Sequence, residues 1–179
     1  MVVAKIDELK SSLQTLKYPV VGLDIKFVKS PFGMLSIPKL SLICVGTRCL
    51  IIQLLNFDIF PRKLVQFLSD ETICFLGTGI SHIVNELNSH YFHHSLGITY
   101  VKGKTCVEVG YLAAKVLKKA NIDKKGLAEL AGEVGMDIKE PTGICSEWNA
   151  IVFSDEEIKF AIHNAYTSYV IGNKLCDMV

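Results

Sequence analysis

The chain has 179 residues, of which half are apolar and 21% are charged, and its formal net charge is +1. This length and balance suit one packed domain and exclude a disordered or fibrous chain, so we expect a single domain over 1–179, with a helix at about 4–17 leading into a core at about 19–178. No apolar run approaches the roughly 18 residues that cross a bilayer, and Lys5, Asp7, Glu8 and Lys10 interrupt the stretch where a secretory signal would be apolar; an intracellular setting, cytoplasmic and/or nuclear, and no membrane partner are expected.

Ile6, Leu9, Leu13 and Leu16 recur at spacings of three and four, which gives an N-terminal helix one apolar stripe and ends it before Pro19. Val20 to Phe27 is an apolar, β-branched run carrying charges only at Asp24 and Lys26, and it reads as a buried strand. Two further runs, Leu40 to Val45 and Cys49 to Leu55, flank Gly46-Thr47-Arg48 and predict a hairpin. Strands then alternate with helices. A helix begins near Pro61 with Leu64, Phe67 and Leu68 on one side, and Ile73 to Leu76 is a fourth strand running into Gly77-Thr78-Gly79. Ile80, Val84 and Leu87 have helical spacing, and Ile98 to Val101 is expected as a short fifth strand. Helices over Val107 to Leu117 and Leu127 to Val134 follow, the second closed by Gly135. Ser154 and Glu157 form a capping box for the last helix, whose stripe runs through Ile158, Ile162, Ala165 and Tyr169. This order predicts an α/β fold, a mixed β-sheet of about five strands with helices on both faces.

The cysteines at 44, 49, 74, 106, 145 and 176 contain no C-x-x-C pair and sit mostly in apolar stretches, which predicts buried thiols rather than disulfides or a zinc site. A net charge of +1 is not the strongly basic balance of many nucleic-acid binders. Between Val101 and Lys125, however, seven lysines stand against Glu108 and Asp123, and Lys102, Lys104, Lys115, Lys118 and Lys119 are candidate phosphate contacts. A solvated helix face is the plainer reading of the same stretch. Gly77-Thr78-Gly79 has His82 where a dinucleotide fingerprint needs its third glycine, and the chain has neither a Walker-type lysine loop nor a G-x-S-x-G elbow.

Several of these stretches together resemble the Werner-like, DEDD-type 3′-5′ exonuclease domains of the ribonuclease H-like fold. Val20-Val21-Gly22-Leu23-Asp24-Ile25-Lys26-Phe27 is similar to the first motif of that family, an apolar strand ending in Asp-x-Glu. Leu42 to Ile51 is similar to its second and third strands, and Phe75-Leu76-Gly77-Thr78-Gly79-Ile80 to the lead-in to its second motif. Val107-Glu108-Val109 and Gly126-Leu127-Ala128-Glu129-Leu130 match the stretch between motifs. Trp148-Asn149-Ala150 and Phe160 to Tyr166 resemble the end of the domain, where the family writes Trp and then Tyr-x-x-x-Asp-Ala-Tyr. The nearest subgroup by resemblance is a plant one that includes RISC-associated clearing exoribonucleases.

The resemblance implies four carboxylates around two divalent metals and a tyrosine that orients the attacking water. Matched by position, Asp24 keeps the first carboxylate, while Lys26, Ile83 and Asn164 stand in place of the other three and Phe160 in place of the tyrosine. Residues i and i+2 of a strand point the same way, so the Lys26 ammonium is expected where a metal would lie. His82 and His163 adjoin two of these positions and are candidates for a softer metal such as zinc or manganese. Surface or satisfied histidines are the plainer reading of both, and His93-His94, expected in a loop after Tyr91-Phe92, is not expected to carry a ligand either.

These replacements lead us to expect an exonuclease-family domain that is impaired or inactive and keeps a nucleic-acid-binding or oligomeric, regulatory role. Mg or Mn is the implied cofactor if activity remains, and none otherwise. The implied partners are single-stranded nucleic acid, RNA ahead of DNA, and a homo- or hetero-oligomer such as a hexameric ring. The alternative is an active 3′-5′ exoribonuclease on short single-stranded RNA that draws ligands from Glu86, Glu108 or a neighbouring subunit. A shift of three residues in the second motif would put Glu86 on the helix face that Ile83 leaves.

Overall fold

The computed structural model describes residues 2–29, 36–54, 61–94, 101, 103–142, 148, 150 and 152–179. Helix α1 (Val2–Gln14) leads into strands β1 (Val20–Lys29), β2 (Ser36–Val45) and β3 (Arg48–Gln53). Helix α2 (Arg62–Leu68), strand β4 (Cys74–Gly77), helix α3 (Ile80–His94) and strand β5 (Cys106–Glu108) follow. Helices α4 (Val109–Leu117), α5 (Leu127–Glu133) and α6 (Asp155–Cys176) complete the chain, with a short 3₁₀ turn at Ile122–Lys124 between α4 and α5.

The five strands form one sheet in the order β3-β2-β1-β4-β5. The β1, β2 and β3 neighbours are antiparallel, whereas β4 runs parallel to β1 and β5 parallel to β4. Alternation along β1 assigns its side chains to opposite faces. Val21, Leu23 and Ile25 pack with Ile43, Ile52 and Phe75 beneath α1, α2 and α3, in a core that includes Ile6, Leu9, Leu13, Leu64, Ile80 and Leu87. Val20 packs on the other face with Leu40, Leu42 and Leu76 against Ala161, Ala165 and Tyr169 of α6. A further cluster joins α4, α5 and the end of α6 through Val109, Leu130, Ala131, Ile171 and Leu175. The sheet therefore carries helices on both faces, as its alternating pattern predicts.

Three expectations are corrected. The fifth strand of the sheet is Cys106–Glu108, and Val101 is not in it: Val101 gives its amide to Asn88 Oδ1 and its carbonyl accepts from Asn88 Nδ2, so a side chain of α3 takes the groups a strand would pair. Residues 98–100 lie outside the described residues. Cys44 and Cys49 form a disulfide, because the hairpin sets them directly opposite one another with Cα atoms 4.3 Å apart. Cys74, Cys106 and Cys176 are free and partly buried, and Cys145 lies outside the described residues. Helix α3 continues to His94, which places His93 and His94 in helix rather than loop.

Helix α6 lies close to the sheet because small residues meet at the contact. A Cβ on Gly22 would collide with the backbone carbonyl of Ala165 and lie 2.9 Å from Tyr169 Cβ. The start of the same helix is fixed by the expected capping box: Ser154 Oγ accepts from the Glu157 amide, and the Glu157 carboxylate accepts from the Ser154 amide. Gly22→Ala should lower unfolding stability by about 2 kcal/mol or more, because backbone and not a flexible side chain must move. Gly132, in α5 with nothing near its missing Cβ, should instead gain about 0.5–1 kcal/mol as Gly132→Ala. Urea unfolding of both variants measures the contrast, and a neutral Gly22→Ala would contradict the close approach.

Candidate functional site

Asp24 and Lys26 leave β1 on the α6 side, opposite Leu42 and Leu40 of β2. Lys26 Nζ donates to Asp24 Oδ2 at 2.6 Å, and the two side chains are only 14% and 8% exposed. The ammonium also lies 5.8 Å from the centre of the Trp148 ring, which stacks on Phe160 at 6.2 Å and 28°. Trp148 is buried and holds a left-handed φ of 54°, a conformation that costs a non-glycine residue about 1–2 kcal/mol and needs surrounding packing to hold it. The register of β1 against β2 shifts between Lys26 and Phe27, next to this group.

Beside the ion pair opens a cleft of about 310 Å³, lined by Lys26, Thr78, Leu127, Glu140, Pro141, Phe160, His163 and Asn164. Phe160, His163 and Asn164 share one face of α6 because they stand three and four residues apart. Thr78 comes from the turn after β4 and Leu127 from the start of α5. His163 Nε2 is buried and has no hydrogen-bond partner among the described residues. Burial holds the His163 imidazole below its ordinary pKa of 6.5; the Glu140 carboxylate pulls upward against this and the Lys26 ammonium pushes further down.

The structure thus gathers Asp24, Lys26, Phe160 and Asn164 at one place and leaves the other candidates elsewhere. Ile83 is 6% exposed and belongs to the α3 stripe with Ile80, Val84 and Leu87 that packs on the opposite core, not to the cleft lining. Glu86, three residues on, is partly buried and does not line the cleft. The Glu108 carboxylate accepts from the amides of Gly79 at 2.8 Å and Ser81 at 3.4 Å, so it serves the amide-rich start of α3. His82 is exposed. The lysines do not converge. Lys104 pairs with Glu71, Lys115 lies over the Tyr111 ring, Lys118 ends α4 with φ 54°, and Lys119 pairs with Glu133. Lys119 and Lys125 hold the Glu133 carboxyl down to about 2. Lys102 lies outside the described residues. Thr78 and Leu127 lie in stretches that resemble the family without being marked as site residues, and nothing in the sequence marks Glu140 or Pro141.

The donors present do not fit the two-metal site that the resemblance implies. Among the described residues no group of three or more His, Cys, Asp or Glu side chains is placed to hold a metal ion. The Asp24 carboxylate, the one that the described residues bring to the position, already accepts from an ammonium. A dication about 4 Å from that ammonium would be repelled by roughly 8 kcal/mol at an effective dielectric of about 20. Asn164 adds at most one neutral oxygen, and Phe160 adds none.

No family model matches the chain. It is 28% identical over 171 residues, 91% of its length, to human "Exonuclease 3'-5' domain-containing protein 2", and 28% identical over 165 residues to the mouse protein of that name. The chain is a homologue of the 3′-5′ exonuclease domain proteins. It spans only about a quarter of those relatives, 26% of the human protein and 23% of the mouse one. A crystal structure of the EXD2 exonuclease domain covers 98% of the chain with a TM-score of 0.53 at 23% identity. One soaked in Mn and GMP covers 98% with a TM-score of 0.51, also at 23% identity. These likenesses establish that the five-stranded α/β sheet is the exonuclease-domain fold of the ribonuclease H-like type. The plant subgroup rests on the sequence resemblance alone.

The partly buried His163 makes stability depend on pH. Because its folded pKa is lowered, the unfolded chain binds more protons just below pH 6.5, so stability is fully present above that value and is lost as pH falls beneath it. Urea midpoints should fall between about pH 7 and pH 5, and His163→Gln should flatten that fall whatever it does at pH 8. An unchanged slope in the variant would contradict the assignment.

Proposed function

We propose that this chain is an exonuclease-fold domain that engages single-stranded nucleic acid, RNA ahead of DNA, without metal-dependent hydrolysis. The observation that carries this reading is the 2.6 Å contact from Lys26 Nζ to Asp24 Oδ2 inside the protein. In hydrolysis by two metals, carboxylates position the cations that activate water and stabilise the leaving oxygen. Here the retained carboxylate balances a fixed organic cation instead. Ile83 in the apolar core, Asn164 and Phe160 at the cleft wall, and Glu108 at the start of α3 support the same reading, because none supplies a further anionic oxygen beside Asp24.

The nucleic-acid part of the proposal draws on the exonuclease domain named in its relatives and on the cleft of about 310 Å³ beside the ion pair, a volume that accepts one nucleoside. Lys26 keeps N–H donors beyond the one given to Asp24, and Thr78 and Asn164 add neutral donors and acceptors at the same wall.

The direct assay uses 5′-labelled single-stranded RNA with the purified chain in millimolar Mg²⁺ or Mn²⁺. The expected outcome is no ladder of 3′-shortened products above the protein-free control, while fluorescence anisotropy in EDTA still registers RNA binding. Laddering that disappears in Asp24→Ala would overturn the proposal and favour substitute ligands.

A further inference from the structure

Away from the cleft, the far end of α6 brings two free thiols together. Cys74 opens β4 and Cys176 closes α6, and both are partly buried against the core that joins Val20, Leu42 and Leu76 to Ala165 and Tyr169. The direction of α6 across the sheet sets them opposite one another. Ala165 meets β1 at Gly22, and two turns later Gly172 meets Val20 and the side chain of Leu76. The helix therefore runs back toward the start of β1, and β4 lies parallel to that strand with Cys74 paired to Val20. Cys176 stands one turn beyond Gly172 on the same helix face, and Cys74 stands two residues before Leu76 on the same strand face. Four residues of helix and two of strand both advance about 6 Å, so the next step along each element carries the two sulfurs to one place.

The spacing between helix and sheet is small enough to matter. A disulfide needs Cα atoms within about 7 Å, and glycine contacts permit such an approach: a Cβ on Gly172 would collide with Leu76 Cδ1. The thiols also sense each other, since burial first and then Cys176 raise the Cys74 thiol above its ordinary pKa. Cys106 is excluded as the partner. It stands opposite Phe75 in the register and packs with it on the other core, so the sheet lies between Cys106 and Cys74.

We infer that Cys74 and Cys176 form a site of reversible oxidation, at which a low-molecular-weight disulfide makes a second protein disulfide that bonds the last turn of α6 to the start of β4. Cys176 adjoins the exposed Asp177, Met178 and Val179 and is the sulfur that meets the reagent. Its thiolate attacks the small disulfide, forms a mixed disulfide and releases one small thiolate; the Cys74 thiolate then attacks the Cys176 sulfur and releases the second. Two protein thiols thus give two electrons to the small disulfide, and their two protons pass to the released thiolates. The bond closes a loop of about 100 residues and fixes the helix that carries Phe160, His163 and Asn164.

Oxidised glutathione, at a concentration that fully oxidises a small dithiol, tests the inference on the whole folded chain, with the remaining thiols then alkylated and peptides mapped without reduction. Two alkylatable thiols should be lost, the peptide containing Cys74 should be joined to the one containing Cys176, and the urea midpoint should rise. Cys74→Ser should instead hold glutathione on Cys176 with no rise in midpoint, and Cys106→Ser should cross-link as the wild type does. A bond from Cys74 to Cys106 or Cys145, glutathione on both Cys74 and Cys176 with no bond between them, an equal rise in midpoint in Cys74→Ser, or both thiols still open to alkylation would overturn the inference.

Discussion

The side chains of Asp24 and Lys26 emerge two residues apart from the same face of a central strand, under the helix that covers it, and the ion pair they make sets the character of everything around them. Removing two charges from water is expensive, and only close geometry and mutual attraction offset that cost. Each partner therefore depends on the other. The ammonium is held over Trp148, Trp148 stacks on Phe160, and Phe160 forms a wall of the cleft, so the ion pair is tied by packing to the surface that a ligand would meet. The five-stranded sheet and its helices share the fold of exonuclease-domain structures, around a site whose charged pair lies inside the protein.

This arrangement is possible because β1 and α6 approach closely at small residues. Gly22 admits the Ala165 carbonyl, and Gly172 admits Leu76, so one face of α6 seals the sheet while Phe160, His163 and Asn164, nearer the start of the helix, are left to line the cleft. Hydrophobic packing fixes where α6 lies, and the capping box at Ser154 fixes where it begins. The spacing of polar residues along it then determines what the cleft contains.

Most of the fold is legible in periodicity, because each long element buries one stripe: Ile6, Leu9 and Leu13 in α1, the run of β1, and the capped start of α6 all show in the sequence. What escaped was decided by partners distant in sequence. The three residues of β5 are too few to show a period, and Val101 was lost to the sheet because Asn88 reached it first. The Cys44–Cys49 bond needs the hairpin register, which a search for C-x-x-C does not test. At the site, i and i+2 geometry puts Asp24 and Lys26 side by side, but Glu140 and Pro141 reach the cleft only through packing of a segment that carries no motif. The lysines between 101 and 125 look like one stripe in sequence and are divided in space, because Glu71 and Glu133 each claim one or more of them.

The central claim is that Asp24 serves as the counter-ion of Lys26 and not as a metal ligand. Chemical unfolding of the wild type and Asp24→Asn, each with and without millimolar Mn²⁺, tests it directly. A buried ammonium stripped of its partner should cost about 3–5 kcal/mol, and Mn²⁺ should stabilise neither protein. A neutral or stabilising Asp24→Asn, together with a wild type that Mn²⁺ stabilises through Asp24, would contradict it.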